Sequence, residues 1–355
     1  MNILIVHNPV KDSTSPDDAD VLDQVRTVAT ALNELGHEAL IRDWPQDLIQ
    51  ARSLLEELGP DLVFNLVESI RGSARYSHRV PALLAQMSIP CTGCSAAALE
   101  RSTSKLNAKQ VLQACRLPTP LWLDDQGSGP TSFPGVFIVK SVWEHASFGL
   151  EGDNVLAAGN AEMLLAAIRE RAARLGGQWF AEAYVPGREF SLAAVEESGT
   201  PRLLNPAELV FTDFPGNMPQ VVGYRAKWLE QSFEYQNTLR RQAFPEHDTA
   251  LLDSMRTLAE KCWHGFELSG YARVDFRVDE HNQPWIIDVN ANPCLSPDAG
   301  FQAAAQASGL CFTEIVDLLL QAALRPGSRA SRRVQRMPAH HSSRELGHGS
   351  DQLSA

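Results

Sequence analysis

The chain is short of positive charge, of long hydrophobic runs and of cysteine. Its 31 Lys and Arg residues are outnumbered by 43 Asp and Glu residues, which gives a formal net charge of −12. Non-specific nucleic-acid binding needs basic patches, so this balance argues against a nucleic-acid partner. No apolar run reaches the length of a membrane span, and the N-terminal run MNILIVHNPV is too short and lacks the basic lead of a signal peptide. We therefore expect a cytoplasmic protein with neither nucleic-acid nor membrane partners.

The six cysteines fit reduced thiols of a cytosolic protein. Cys91 and Cys94 form one C-T-G-C pair, and a zinc site would need a second such pair that the sequence lacks. A redox pair and a structural turn at a strand end both remain open for these two residues. The G-x-G-x-x-G turn of dinucleotide-binding proteins is also missing.

The first hundred residues alternate strand and helix signals, and a chain of this length predicts two or three domains. The segments that carry this alternation are Ile3–Val6, Asp18–Leu35 closed by Gly36, Leu62–Leu66 and Val80–Met87. Such a rhythm indicates an open parallel sheet. We expect four parts: an α/β domain over residues 1–103, a smaller unit over 104–187, a larger α+β block over 188–324, and a disordered tail over 325–355, which is rich in Arg, Ser, Gly, His and Pro.

In the two later units the pattern predicts alternating helices and strands. These are a basic helix from Ser104 to Leu117, a strand over Gly135–Ser141, a helix over Ala161–Leu175, a strand over Gln178–Val185 and a coil over Ser232–His247. The overall fold class is therefore mixed, α/β followed by α+β.

Two strands near the end of the α+β block carry the strongest chemical signal. YARVDFRV (Tyr271–Val278) and WIIDVNANP (Trp285–Pro293) are separated by a turn and predict a hairpin. Side chains alternate between the faces of a strand, so Arg273 and Asp275 share one face, as do Asp288 and Asn290. Oxygen ligands of this kind suit Mg²⁺, which completes its shell with water and phosphate oxygens. A solvated face with an Arg–Asp pair is the alternative.

Four other features fit nucleotide phosphate chemistry, although each has an ordinary explanation alone. Lys140 ends a strand and can reach a phosphate or simply be solvated. The small residues Ala146–Gly149 let backbone N–H groups approach phosphate oxygens, or form a hairpin turn. Glu182 and Glu189 flank a Pro-Gly break that can border an adenosine, or lie at a plain strand end. Lys227, in YRAKW, has no clear periodicity around it and can belong to a mobile loop or to the surface.

Taken in order, these residues resemble the ATP-grasp superfamily, and most of all its D-alanine–D-alanine ligase branch. The similarity spans about residues 85–320 and depends on Lys105 in TSKLNAKQVL, Lys140, Ser147, Phe148, Gly149, Glu182, Glu189, Lys227, Arg273, Asp275, Asp288 and Asn290. It implies an ATP-grasp fold behind an N-terminal parallel α/β domain. It also implies a ligase that phosphorylates a carboxylate and lets an amine attack the acyl phosphate.

The resemblance implies a role for each residue. Lys105 and Lys140 would contact the phosphates of ATP. Glu182 and the backbone near Val185 would hold adenine, and Glu189 the ribose. Lys227 would reach the γ-phosphate, and Arg273 would face the reacting carboxylate.

The metal and substrate positions are implied in the same way. Asp275, Asp288 and Asn290 would hold two Mg²⁺ ions, for which Mn²⁺ is the alternative. Cys294 and Ser296 would border the pocket for amino-acid-like substrates. A homodimer is implied by the resemblance alone.

Several departures concern the substrates rather than ATP. Asp288 stands where the branch usually has glutamate, and Cys294 where D-alanine ligases usually keep glycine. DSTSPDDAD is a loose stand-in for the first-substrate glutamate motif, and NLVESIRG replaces the usual His-Gly, Glu-Asp-Gly segment. The sequence therefore supports ATP-dependent ligation without fixing D-alanine as substrate. A nucleotide-binding protein without turnover and a carboxylate kinase are the alternative functions.

Overall fold

The computed structural model describes residues 1–10, 16–144, 147 and 149–325, with only the backbone for 16–19. Phe148 and the predicted tail after Arg325 lie outside the described residues, so the expectations for them stay predictions.

The N-terminal part is a three-stranded parallel sheet with helices around it, as the alternation predicts. The strand order is β2-β1-β3. Its elements are β1 (Asn2–His7), α1 (Pro16–Glu34), β2 (Glu38–Asp43), α2 (Leu48–Leu58), β3 (Leu62–Leu66), α3 (Arg79–Gln86) and α4 (Ala96–Thr103). The sequence signals missed β2 because it is an edge strand with a mostly exposed EALIRD pattern.

The middle part is a four-stranded antiparallel sheet of order β4-β7-β5-β6, covered by one helix. Its elements are α5 (Lys105–Ala114), β4 (Trp122–Leu123), β5 (Gly135–Ser141), β6 (Val155–Ala158), α6 (Ala161–Leu175) and β7 (Trp179–Ala183). The helix predicted over Ser104–Leu117 begins at Lys105 and ends at Ala114, and the Ser104 hydroxyl accepts from the Asn107 N–H at 3.2 Å as its N-cap.

The last part is built on a larger antiparallel sheet of order β11-β10-β8-β12-β13, with β9 paired to β8. Its elements are β8 (Arg188–Glu197), β9 (Thr200–Leu203), β10 (Ala207–Phe211), α7 (Tyr224–Trp228), α8 (Phe233–Gln236), β11 (Thr238–Arg241), α9 (Thr249–Gly265), β12 (Tyr271–Val278), β13 (Pro284–Asn290), α10 (Gly300–Ala307) and α11 (Phe312–Leu324). The coil expected over Ser232–His247 is wrong, since it contains α8 and the edge strand β11, whose TLRR sequence has no alternation.

One hydrophobic core joins the first and last parts of the chain. It includes Ile3 and Ile5 of β1, Val195 of β8, and Leu319 and Leu320 of α11. The middle sheet has a separate core against α6, around Phe137, Leu164 and Trp179. The cleft between the middle sheet and the joined parts is where the candidate site lies.

Among the helices of the described residues, none alone has the length and hydropathy to cross a membrane. The pair α10 and α11 meets that test only together, across a bend of 102°.

Candidate functional site

Strands β12 and β13 form the hairpin that the sequence predicts. In their antiparallel register Asp275 lies opposite Asp288 and Arg273 opposite Asn290, and a bulge follows Asp275. The backs of the strands are buried, with Val274 4 % and Val289 0 % exposed. The hairpin therefore presents two carboxylates, a carboxamide and a guanidinium on one face because its other face packs into the core.

Arg273 and Asp275 form a bidentate ion pair on this face. The guanidinium donates to both carboxylate oxygens at 2.8 Å. Burial works against the positive charge, but the adjoining Asp275 outweighs it and raises the pKa of Arg273 above its ordinary value. Arg273 thus supplies fixed positive charge at every working pH, the property needed where an oxyanion develops.

Lys227 reaches the same cleft from α7, a short helix where the sequence led us to expect a mobile loop. Lys227 is an exposed residue. The pKa of its ammonium group is nevertheless lowered, first by loss of solvation in the cleft and then by repulsion from Arg273. Asp275, Glu189 and Asp288 also act on its charge. Lys227 therefore lies within electrostatic range of the hairpin face, on a helix rather than in a loop.

The segment that carries α7 is fastened to the loop after β5. The Ser147 hydroxyl donates to the Val222 carbonyl at 2.7 Å, and the Tyr224 N–H donates to the Leu150 carbonyl at 3.1 Å. Gly223 lies so close that an added Cβ would overlap the Leu150 carbonyl oxygen. Ser147 and Gly149, both predicted for the phosphate loop, thus lie beside the segment that carries α7. We name this segment, residues 220–228, the lid segment.

A buried ion triad lies at the middle sheet. Glu182 is 1 % exposed, accepts from Lys140, and pairs with Lys109 at 2.7 Å. Burial opposes the charge on Glu182, but the two ammonium groups dominate and lower its pKa. Burial likewise lowers the pKa of Lys109, which Glu182 counteracts. Of the two lysines, Lys140 is the more exposed.

Lys109 is a residue that the sequence reasoning missed. Its ammonium also donates to the Thr119 hydroxyl at 2.9 Å and the Pro120 carbonyl at 3.0 Å. Lys105, which was predicted, lies elsewhere: its ammonium donates to the Glu144 carbonyl at 2.9 Å, at the start of the loop after β5. The two lysines are one helical turn apart in α5, so the 3.6-residue period was the signal that could have found Lys109.

A cavity of about 60 Å³ opens beside the triad, beneath the lid segment. Its lining includes Lys140, Glu182, Val185, Glu189 and Arg277. The cavity therefore brings together the phosphate lysine, the adenine positions and the ribose carboxylate that the resemblance implies. Arg277 was not foreseen, although it continues the Arg273, Asp275 alternation on β12.

An acidic group lies at the other end of the cleft. Asp20, on α1, accepts from the Cys294 thiol at 3.2 Å and from the Ser296 hydroxyl. Burial raises the pKa of Asp20, and burial together with Asp20 raises the pKa of Glu68 to about 7. Arg273 and Lys227 act in the opposite direction on Glu68. Asp20 and Glu68 come from the two segments that depart most from the D-alanine ligase pattern.

The two substrate-pocket positions differ in access. Cys294 is partly buried, while Ser296 is 0 % exposed and its hydroxyl also bonds the Cys294 sulfur at 2.8 Å. Ser296 can therefore act on the pocket only through Asp20 and Cys294.

Cys91 and Cys94 are both free thiols in the structure. Burial raises the pKa of each to about 12, which disfavours the thiolate that redox chemistry requires. Cys94 donates to the Ser269 carbonyl at 3.0 Å, so the structural reading of the C-T-G-C turn is the better one.

The donor set of the hairpin fits a hard divalent cation. Within the described residues no group of three His, Cys, Asp or Glu side chains is placed to hold a metal ion. Asp275, Asp288 and Asn290 offer instead two carboxylates and one carboxamide. That is the ligand count of a Mg²⁺ ion that keeps water and takes phosphate oxygens from its substrate.

Comparison with known proteins supports one class of enzyme. The family model described as D-ala D-ala ligase C-terminus matches residues 128–321. A D-alanine–D-alanine ligase of Methylococcus capsulatus is 30 % identical over 301 residues, which cover 83 % of this chain and 88 % of that protein. An uncharacterised protein of Sinorhizobium fredii, y4sG, is 26 % identical over 310 residues, covering 84 % and 87 %.

A solved structure shows the same fold. The D-alanine–D-alanine ligase of Bacillus anthracis complexed with ATP aligns with a TM-score of 0.67, at 15 % identity, over 92 % of this chain and 98 % of its own.

Fold and site together define an ATP-dependent ligase of the ATP-grasp class. Within that class, the chain belongs to the D-alanine–D-alanine ligase family. The alternatives of a turnover-free nucleotide-binding protein and a carboxylate kinase are not favoured.

Proposed function

We propose that this enzyme joins two small amino-acid-like substrates, using ATP and Mg²⁺, and that the cleft between Arg273 and Asp20 is where they meet. The observation that carries the proposal is the hairpin register, in which Asp275 faces Asp288 and Arg273 faces Asn290, with Lys227 brought over them. Phosphoryl transfer depends on positioning and charge neutralisation, and this arrangement supplies both.

The nucleotide occupies the cavity beside the triad in this proposal. The backbone at Val185 and the carboxylate of Glu182 border the base, and Glu189 accepts from the ribose hydroxyls. Lys140 contacts the phosphates from the strand end. Lys109 has its donors occupied by Glu182, Thr119 and Pro120, so it holds Glu182 rather than the nucleotide.

Asp275, Asp288 and Asn290 would hold two Mg²⁺ ions, which when bound neutralise charge on the phosphate oxygens. Lys227 adds positive charge from α7. Arg273 stabilises the oxyanion that forms when an amine attacks the acyl phosphate. Since an acyl phosphate hydrolyses, the segment around Gly223 has to exclude water by staying docked on Leu150.

The acidic end of the cleft receives an ammonium group. Asp20 and Glu68 offer negative charge next to the fixed cation of Arg273, the pairing that a zwitterionic amino acid needs. D-Alanine is the first substrate to test, because the named relatives are D-alanine–D-alanine ligases. Cys294 in place of glycine reshapes the pocket, so we expect another acceptor to be preferred.

The test is a panel of D- and L-amino acids and dipeptides incubated with ATP and Mg²⁺, followed by phosphate release and mass spectrometry of the products. We expect phosphate release that requires two amino-acid-like substrates and yields a product with the mass of their sum minus water. Release that requires a carboxylate but no amine would overturn ligation. The Asp288→Asn variant is the inactive control, and omission of Mg²⁺ tests the metal requirement.

A further inference from the structure

Arg277 is a buried cation at the wall of the nucleotide cavity. Its residue is 5 % exposed, and it follows Arg273 and Asp275 on the same face of β12. The guanidinium also lies over the rings of Tyr184 and Phe211, at 5.6 Å and 5.7 Å from their centroids. A buried guanidinium is costly unless its donors are satisfied, so its partners indicate what it does.

The partners of Arg277 come from three different segments. Nε donates to the Val185 carbonyl at 3.0 Å, two residues after the end of β7. Nη1 donates to Glu189 Oε2 at 2.8 Å, and also to the Gln220 carbonyl at 3.2 Å. The Tyr184 hydroxyl donates to the same Gln220 carbonyl at 3.1 Å. The Arg277 side chain thus joins the residues after β7, the Glu189 carboxylate and the segment that leads to α7.

Each contact has a consequence for a bound nucleotide. Arg277 takes only Oε2 of Glu189, which leaves Oε1 to accept from a ribose hydroxyl, and the ion pair keeps the carboxylate from turning away. The bond to Gln220 fixes the start of the segment that carries Lys227, seven residues later, to the hairpin face. An apolar side chain at this position would fill the same space without either link.

We propose that Arg277 is a positioning residue of the nucleotide site, which aims Glu189 at the ribose and fastens the lid segment at Gln220. The proposal rests on the proposed function, because it assumes that a nucleotide fills this cavity. The ligand recognised through Glu189 is the vicinal diol of a ribonucleoside triphosphate.

The test is the binding of ATP, 2′-deoxy-ATP and 3′-deoxy-ATP to the full chain by calorimetry, with Mg²⁺ and without amino acids. The proteins are the wild type, Arg277→Met, Arg277→Lys, Glu189→Gln and the double variant that combines Arg277→Met with Glu189→Gln. We expect Arg277→Met to weaken ATP about tenfold, the scale of one charged hydrogen bond, and to weaken at least one deoxy analogue much less. In Arg277→Met the preference for ATP over the deoxy analogues should fall to the level seen in Glu189→Gln. The double variant should show no further loss of that preference.

Arg277→Lys keeps a charge for Glu189 but cannot reach three partners at once. It should keep part of the ribose preference and still raise the Kd for ATP. Equal weakening of all three nucleotides in Arg277→Met would overturn the proposal and leave a purely structural role. If Arg277→Met does not fold, an unchanged ribose preference in Arg277→Lys and Glu189→Gln overturns it equally. Failure of the wild type to bind ATP would overturn the proposed function instead.

Discussion

Asp275 and Asp288 lie directly across from each other on β12 and β13, held there by the register of a hairpin whose back is buried. In our proposal the two carboxylates approach the same ligand, and neither strand has to move because the core fixes the register. Arg273 balances part of their negative charge, and in our proposal Mg²⁺ balances the rest.

We predict that Asp288→Asn lowers turnover by about 100-fold or more, because losing one carboxylate ligand costs about 3 kcal/mol of transition-state stabilisation. Raising the Mg²⁺ concentration should recover part of the activity. The matched control is Asp253→Asn on the surface of α9, which should leave turnover unchanged. Near-normal turnover of Asp288→Asn at limiting Mg²⁺ would contradict the metal assignment.

Removing the Lys109 side chain should lower the free energy of unfolding more than it lowers turnover. We predict that Lys109→Met destabilises the protein by about 3–5 kcal/mol, because Glu182 keeps its buried charge with one partner fewer. The measurement is unfolding in urea at pH 7. Glu182→Gln in the same chain should recover part of the loss, since it removes the buried charge. The pKa of Glu182 is lowered, so the wild-type advantage should fade as the pH drops through that pKa.

Gly223 tests the lid. An added Cβ would overlap the Leu150 carbonyl, so Gly223→Ala should push the α7 segment away and reduce turnover at least tenfold, with little change in the free energy of unfolding. Gly216→Ala is the control, because a Cβ there meets nothing within 4 Å. Equal activity of the two variants would show that docking at Leu150 does not matter.

Glu68 should make stability depend on pH in an unusual direction. Burial and Asp20 raise its pKa to about 7, so the folded state favours the protonated form and loses stability as the pH rises from about 4.5 through 7. We predict that Glu68→Gln has a higher Tm than the wild type at pH 8 and nearly the same Tm at pH 5. The same variant should bind the ammonium-bearing substrate less tightly at pH 8. A Tm difference independent of pH would contradict the assignment.

Cys294 tests the acceptor pocket. Its thiol donates to Asp20 and lies beside Ser296, so Cys294→Gly both enlarges the pocket and frees an acidic oxygen. We predict a change in the preferred acceptor of about 1–3 kcal/mol in selectivity with an unchanged KM for ATP. The acceptor profile and the ATP KM of both proteins decide this. A weakened ATP KM with the same acceptor profile would place Cys294 in the nucleotide half of the site.

The hairpin could be predicted from the sequence because its strand and turn signals are local. Alternation in Tyr271–Val278 and the turn before Pro284 set the strands, and the buried backs set the register. The parallel sheet at the N-terminus followed from strand and helix rhythm in the same way.

The rest of the site depends on contacts between distant segments. Glu182 meets Lys109 across about seventy residues, and Asp20 meets Ser296 across 276 residues, so the helical period that relates Lys109 to Lys105 does not indicate its pairing with Glu182. Lys109 was missed because two lysines of α5 fit the same motif, and only the strand packing shows which one faces Glu182. Arg277 was missed although the alternation on β12 places it on the same face as Arg273 and Asp275. Its partners lie on distant segments, so the sequence does not show that its guanidinium reaches the cavity wall.

The core shared by β1 and α11 has a consequence for synthesis on the ribosome. Side chains from Ile3 to Leu320 enclose one another, so the nascent N-terminal sheet exposes an apolar surface until almost the entire described chain has been translated. The N-terminal sheet therefore reaches its native packing only after α11 has been synthesised, and contacts between these distant segments add a slow, long-range step to folding. We expect chaperones to act mainly on the apolar surface of this shared core before α11 covers it. The middle sheet has its own core and can pack earlier.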